Sequence, residues 1–178
     1  MKIAIRIVLG LMVVLALVFA AALGLGALQP RRHRAVSSAL IPAPPDSVWA
    51  AITDWEHSPA WRTDVKSVVR LPDRNGHPVW NQLSDDGTWP LEITESAPPE
   101  KLIAVVADSS QGFGGSWTYR LAPEGGGTRV TIVEDGFVDH PLFRFMARYF
   151  FGFHSTQQGY LMGLGRRFRA NVKPRIDR

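Results

Sequence analysis

From Ile7 to Leu28 the chain runs for 22 residues without a charge, and 19 of them are apolar. No other stretch limits the possible folds as much. As a helix it would span about 33 Å, which matches the ~30 Å hydrocarbon core of a bilayer. Arg6 precedes it, and Arg31-Arg32-His33-Arg34 follow it. We read residues 7–28 as one transmembrane anchor, residues 1–6 as a short tail and residues 29–34 as a basic linker. A cleaved signal peptide is the alternative, because Ala20-Ala21-Ala22 offers a small-residue cleavage site; the apolar run, however, outlasts a usual signal core. Ala20/Gly24 and Ala22/Gly26 are spaced as in packed membrane helices, although so Ala-rich a segment makes that spacing common. The expected localisation is single-pass membrane. Basic residues on both flanks leave the side of the soluble part undetermined.

The remaining charges are segregated. The formal net charge is +4, yet residues 35–143 hold 15 acidic and 7 basic side chains, while residues 144–178 hold 8 basic ones and a single acid, Asp177. An acidic body between two basic ends is a poor nucleic-acid binder, so no nucleic-acid partner is expected. The chain has no Cys, which excludes disulfides, thiolate metal sites and a thiol nucleophile. The five His residues (33, 57, 77, 140, 154) are scattered and form no metal-ligand pattern. No Walker A, dinucleotide or G-x-S-x-G pattern occurs. Neither a metal nor a cofactor is expected.

Residues 35–178 suffice for one sizeable core. Short segments bounded by turn residues predict strands at 35–41, 65–71, 78–83, 89–95, 102–108, 116–121 and 128–135. The separators are Asp73-Arg74-Asn75-Gly76, Asp85-Asp86-Gly87, Ala97-Pro98-Pro99-Glu100, Gln111–Gly115 and Glu124–Gly127. Such short links predict an antiparallel meander. Between the first two strands, Asp46 is placed to cap a helix over 47–54, and Ser58-Pro59 opens a second short helix ending at Trp61. No Pro occurs from Leu142 to Lys173. Over that stretch Leu142, Met146, Tyr149, Phe153, Tyr160, Leu164 and Phe168 form one apolar stripe. It predicts a single long helix, capped by Asp139 and weakened at Gly152, Gly159, Gly163 and Gly165. The order is β-α-α-β6-α, an α+β chain.

Three stretches in this frame resemble a known superfamily. They are Ile41-Pro42-Ala43-Pro44-Pro45-Asp46-Ser47-Val48-Trp49, then Trp55 through Pro59-Ala60-Trp61, and then Gly115-Ser116-Trp117-Thr118-Tyr119-Arg120-Leu121-Ala122-Pro123 with the Gly triplet and Thr128-Arg129-Val130-Thr131. The likeness is to the START/Bet v 1 helix-grip superfamily, in its bacterial polyketide cyclase/dehydrase-like branch, and covers nearly all of residues 35–170. It implies a helix-grip domain there, followed by a basic tail at 171–178. In such a domain a curved antiparallel sheet wraps a long C-terminal helix, with a cavity between them for an apolar ligand such as a lipid, isoprenoid or polyketide. Fold alone does not choose among the superfamily's functions.

The residues suggest where such a ligand would lie. Trp61, Trp89, Trp117, Tyr119, Ile132, Tyr149 and Phe153 are the expected lining. The start of the last helix carries more large rings than one sheet can cover, so Phe150 and Phe151 with Arg144 and Arg148 are expected to meet the bilayer, rings at headgroup depth and cations on anionic lipid. Glu95 and Glu134 are weak candidates for acid–base chemistry, since an inward carboxylate in an apolar cavity would be held protonated more readily. Solvation at strand ends is the plainer expectation for both. The polar run His154–Gln158 reads as a solvent face or as a contact for a ligand's polar end. The expected function is a membrane-tethered module holding a small apolar ligand. The alternatives are a cyclase/dehydratase-type enzyme and an interaction protein that docks through its aromatic helix face. Oligomeric state is left open.

Overall fold

The computed structural model describes residues 2–85, 87–110 and 112–177. The expected turns that include Asp86 and Gln111 therefore lie partly outside the described residues, as does Arg178 of the basic tail. Helix α1 (Lys2–Ala27) holds the apolar run and is long and apolar enough to cross a membrane. It is exposed along its length except at Ala22, Leu23 and Gly26.

An eight-stranded antiparallel sheet forms the body. Its strands are β1 (Arg32–Ile41), β2 (Ser67–Arg74), β3 (His77–Ser84), β4 (Gly87–Ala97), β5 (Lys101–Val106), β6 (Phe113–Glu124), β7 (Gly127–Val138) and β8 (Arg175–Asp177). The order β2-β3-β4-β5-β6-β7-β1-β8 is a meander closed by the first strand. Between β1 and β2 lie helix α2 (Pro45–Thr53) and a 3-10 turn, Ser58–Ala60. Alternation sends Tyr119, Leu121, Val130 and Ile132 to the concave face, where they join Val48, Ile52, Trp55 and Trp61 from the first helical segments. Leu161 and Leu164 of helix α4 (Ser155–Arg167) complete this core and are fully buried. This is the helix-grip α+β fold.

The strands run further than the expected segments. β1 begins at Arg32, inside the expected basic linker, because Arg34 sits on the outer face and pairs with Asp135 of β7 at 2.9 Å. Part of the expected basic tail is also strand, as β8 pairs with Val36–Ser38. Two expected caps are not made. Asp46 lies in the first turn of α2, behind Pro44, and Asp139 instead pairs with Arg31 at 2.5 Å.

The single long C-terminal helix is corrected to two. Helix α3 (Pro141–Met146) widens into a π-turn at Ala147–Phe151, closed by the Gly152 amide donating to the Ala147 carbonyl at 2.9 Å. Gly152 then takes φ 72°, a conformation that glycine adopts without a Cβ penalty. The chain turns there and restarts as α4. The apolar stripe continues through the break in sequence, so periodicity alone could not reveal it.

The C-terminal end of α1 is fastened to this segment. Ala22 and Gly26 are buried where the Gly26 backbone meets Pro141 and Phe145 of α3. Arg144 donates to the Gln29 carbonyl at 3.2 Å, and the Val138 amide donates to the Arg31 carbonyl at 2.8 Å. The small-residue spacing of Ala22 and Gly26 is thus used within the chain.

Candidate functional site

Between the concave face and α4 lies a cavity of about 630 Å³, within the size range of small-molecule sites. Strands β3 to β7 supply most of its wall, including Gln82, Trp89, Ala104, Trp117, Tyr119 and Phe137. The lining residues that are exposed, Thr63, Asp64, Ser155, Thr156 and Gly159, mark its mouth. The mouth therefore lies between the loop after Trp61 and the first turn of α4, directly after the π-turn.

The wall is aromatic beneath. Tyr160 of α4 is the hub, with ring centroids 5.1 Å from Trp61, 5.4 Å from Tyr119 and 6.0 Å from Trp117. Edge-on and tilted contacts of this kind hold large rings without flattening the cavity. At the sheet's other end Trp89 packs on Phe113 at 4.6 Å, and its indole nitrogen donates to Ser84 Oγ at 3.2 Å.

A buried polar cluster borders these rings. The Arg62 guanidinium, 8% exposed, donates Nε and Nη2 to Asp64 at 3.3 and 2.5 Å and Nη1 to Gln82 Oε1 at 3.1 Å. It also lies over the Tyr160 ring, 5.2 Å from its centroid. Burial disfavours the Arg62 charge, but the hydrogen bonds and charge of Asp64 outweigh it and hold its pKa above the ordinary value. Tyr119 and Tyr160 lie side by side in the same buried cluster. Burial pushes both phenols above the usual tyrosine value, with Arg62 pulling the other way.

A second polar pair sits in the wall. His33 Nε2 lies 3.1 Å from Glu134 Oε1, and the imidazole stacks on Phe153 with centroids 4.3 Å apart. Gly136, opposite His33 in the β1–β7 register, leaves room for that ring; a Cβ there would lie 2.5 Å from His33 Cε1.

The structure distributes the sequence-expected residues unevenly. Trp61 is buried beside the cavity against Tyr160, while Trp89, Trp117 and Tyr119 are part of the wall. Ile132 is fully buried in the core behind it. Phe153 reaches the wall only through His33. Tyr149 is 54% exposed and lies away from the cavity, because the π-turn rotates it off the stripe. Of the carboxylates, Glu134 faces the cavity and Glu95 does not. A bulge between Ile93 and Glu95 breaks the alternation, and Glu95 pairs with Lys101 at 2.9 Å. Within the polar run His154–Gln158, Ser155 and Thr156 border the mouth, whereas Gln157 is fully buried and donates to the Ala35 carbonyl at 3.0 Å. Phe150 and Phe151 stand exposed, as does Arg148, while Arg144 is drawn in by Gln29.

Sequence reasoning missed Arg62, Asp64, Gln82, His33 and Tyr160. Tyr160 stood on the apolar stripe, which marks it as inward-facing but not as the centre of a ring cluster. His33 was hidden inside a basic run, and nothing in the pattern around Arg62 or Gln82 marks either as buried.

The family model described as "Polyketide cyclase / dehydrase and lipid transport" matches residues 32–154. Among solved structures, a protein from Thermus thermophilus is similar at TM-score 0.65 and 20% identity, over 77% of this chain and 97% of that one. A START superfamily protein from Mycobacterium smegmatis is similar at 0.62 and 16%, over 77% and 97%. An aromatase/cyclase from a Streptomyces species is similar at 0.62 and 13%, over 78% and 94%. At these identities the structures show the fold alone. None of the curated proteins matches the chain in sequence. The family match spans most of the sheet and reaches the start of the last helix, so this chain, with its helix-grip fold, belongs to the polyketide cyclase/dehydrase and lipid transport family.

Proposed function

We propose that this protein is a membrane-anchored binding module that holds a small apolar ligand in the helix-grip cavity and exchanges it with the adjacent bilayer. The observation that carries this reading is the position of the cavity mouth. It adjoins the first turn of α4, directly after exposed Phe150 and Phe151, on the segment whose other end is packed on α1. With α1 in a membrane, those rings and Arg148 stand near its end, where aromatic side chains and cations favour the interface. Native mass spectrometry of the full chain released from its own membranes tests the reading. A bound apolar molecule of defined mass is the expected result. A chain that is ligand-free across several mild detergents overturns it.

One observation favours a second reading, catalysis of the cyclase/dehydratase type. Glu134 faces the cavity with His33 as its hydrogen-bond partner, an arrangement able to hold or move a proton at a bound ligand. Conversion of the co-purifying molecule by the wild-type protein, lost in Glu134→Gln with binding retained, would establish it.

A further inference from the structure

We propose that Gln82 is the specificity-determining contact of the cavity, and that the ligand presents to it one uncharged acceptor oxygen of the ketone, ester or alcohol class. This rests on reading the cavity as a ligand site, and it names the polar end of a ligand whose body is apolar.

The orientation of the Gln82 amide is fixed by its neighbour. Arg62 has donors only, and its Nη1 reaches Gln82 Oε1 at 3.1 Å. The oxygen therefore points to Arg62 and the nitrogen points away. Gln82 is 5% exposed and belongs to the cavity wall, and its Nε2 is buried without a partner. Several other polar groups of the wall have partners: Arg62 in Asp64 and Gln82, Glu134 in His33, and Ser84 in Trp89. Among the described residues, Gln82 Nε2 is the one buried wall donor left unpaired. A buried donor without an acceptor is costly, and that cost is recovered when an acceptor enters. An amide NH2 calls for an acceptor on the ligand.

The charges around it argue for an uncharged one. The charge of Arg62 is matched by Asp64, and Glu134 places a further carboxylate on the wall. Among the described residues of the wall, a carboxylate head would find no free cation. Across the β3–β4 register, Trp89 stands opposite Gln82, so an aromatic surface for the ligand's apolar body begins beside the donor.

The experiment uses the full chain in phosphatidylcholine nanodiscs, with tryptophan fluorescence as the readout and 2-tridecanone, tridecane and tridecanoate as probes. Partition into the lipid is common to wild type and variants and cancels in their comparison. Wild type is expected to bind the ketone about tenfold more tightly than the alkane, the size of one buried hydrogen bond. Gln82→Leu is expected to lose that preference while keeping alkane binding, which reports an intact cavity. Gln82→Glu keeps an acceptor for Arg62 and removes the donor, so it carries the test if the Leu variant fails to fold, and it too should lose the preference. Ketone binding unchanged in either folded variant overturns the proposal, as does tighter binding of tridecanoate than of the ketone. In those cases alkane binding still stands and the ligand-cavity reading survives. If no probe binds wild type, both fall.

Discussion

Trp61, Trp117, Tyr119 and Tyr160 form one cluster of large rings, and Phe143, Tyr149, Phe150 and Phe151 form another, yet the first is enclosed or lines the cavity while the second stands in the open. Ring content does not separate them. What separates them is the geometry that covers each. Alternation on β6 delivers Trp117 and Tyr119 to the concave face, and α4 lays Tyr160 across them. The second cluster sits on α3 and the π-turn, at the margin of the sheet, where β7 and the end of α1 touch α3 but leave these rings uncovered. An exposed apolar patch of this kind marks a contact surface, whereas the enclosed cluster is what gives the cavity its shape.

The largest expected difference between the clusters is in stability. Tyr160→Ala should destabilise the domain by about 3–5 kcal/mol, as for other buried aromatic truncations. Phe150→Ala and Phe151→Ala should each stay within about 0.5 kcal/mol of wild type. Thermal or denaturant unfolding of the three variants decides it, and equal losses in all three would erase the distinction.

The polar support of the enclosed cluster should come next. Asp64→Ala leaves the Arg62 guanidinium buried beside Tyr160 without its carboxylate, and a loss of about 2 kcal/mol is expected. The same substitution at Asp73, which pairs with Arg70 on the surface, should cost under about 1 kcal/mol. A similar cost at both sites would mean that Arg62 is more hydrated than its burial indicates.

The two enclosed phenols predict a dependence on alkaline pH. Burial raises Tyr119 and Tyr160 above the ordinary value of 10.0. Below that value both states keep these protons, and the contribution to stability is fully present. Above it the unfolded chain releases protons that the fold retains, so stability falls as pH rises. Phenolate absorbance from these two residues should therefore appear together with loss of near-ultraviolet circular dichroism. Their ionisation in a chain that keeps its tertiary signal would contradict the enclosure described here.

Much of this contrast was legible in the sequence, for definable reasons. The meander and the order of elements follow from short segments set between turn residues, and the inward placing of Tyr119 and Ile132 follows because a strand keeps one face dry. The excess of rings at 143–151 was also visible as an excess. Three things were not visible. A bulge at Ile93–Glu95 turned Glu95 outward, and a bulge leaves no mark in alternation read residue by residue. The π-turn and Gly152 redirected the chain while the apolar spacing ran on, so Tyr149 was assigned to a wall it does not reach. The buried polar group formed by Arg62, Asp64 and Gln82 joins a loop to a strand, and such long-range pairing has no local signature.

The smallest effect expected on folding is the one that bears most on the membrane. The chain has no Cys, so Phe150→Cys provides a single attachment point for an environment-sensitive fluorophore, with Ser67→Cys on the exposed edge strand β2 as its counterpart. Both variants should fold as wild type does, since neither side chain is buried. In proteoliposomes the label at residue 150 should emit as it does in an apolar medium and be quenched by bromine-labelled lipid, while the label at residue 67 should do neither. Rings at headgroup depth gain most from partial burial, and the packing of Gly26 on Pro141 and Phe145 leaves the segment little freedom to swing away. Solvent-like emission at residue 150 would detach the exposed cluster from the bilayer and return it to the class of protein-docking surfaces. Emission intermediate between the two sites that rises with anionic lipid content would instead point to Arg148 as the stronger contact, because only the charged part of the interaction depends on lipid charge.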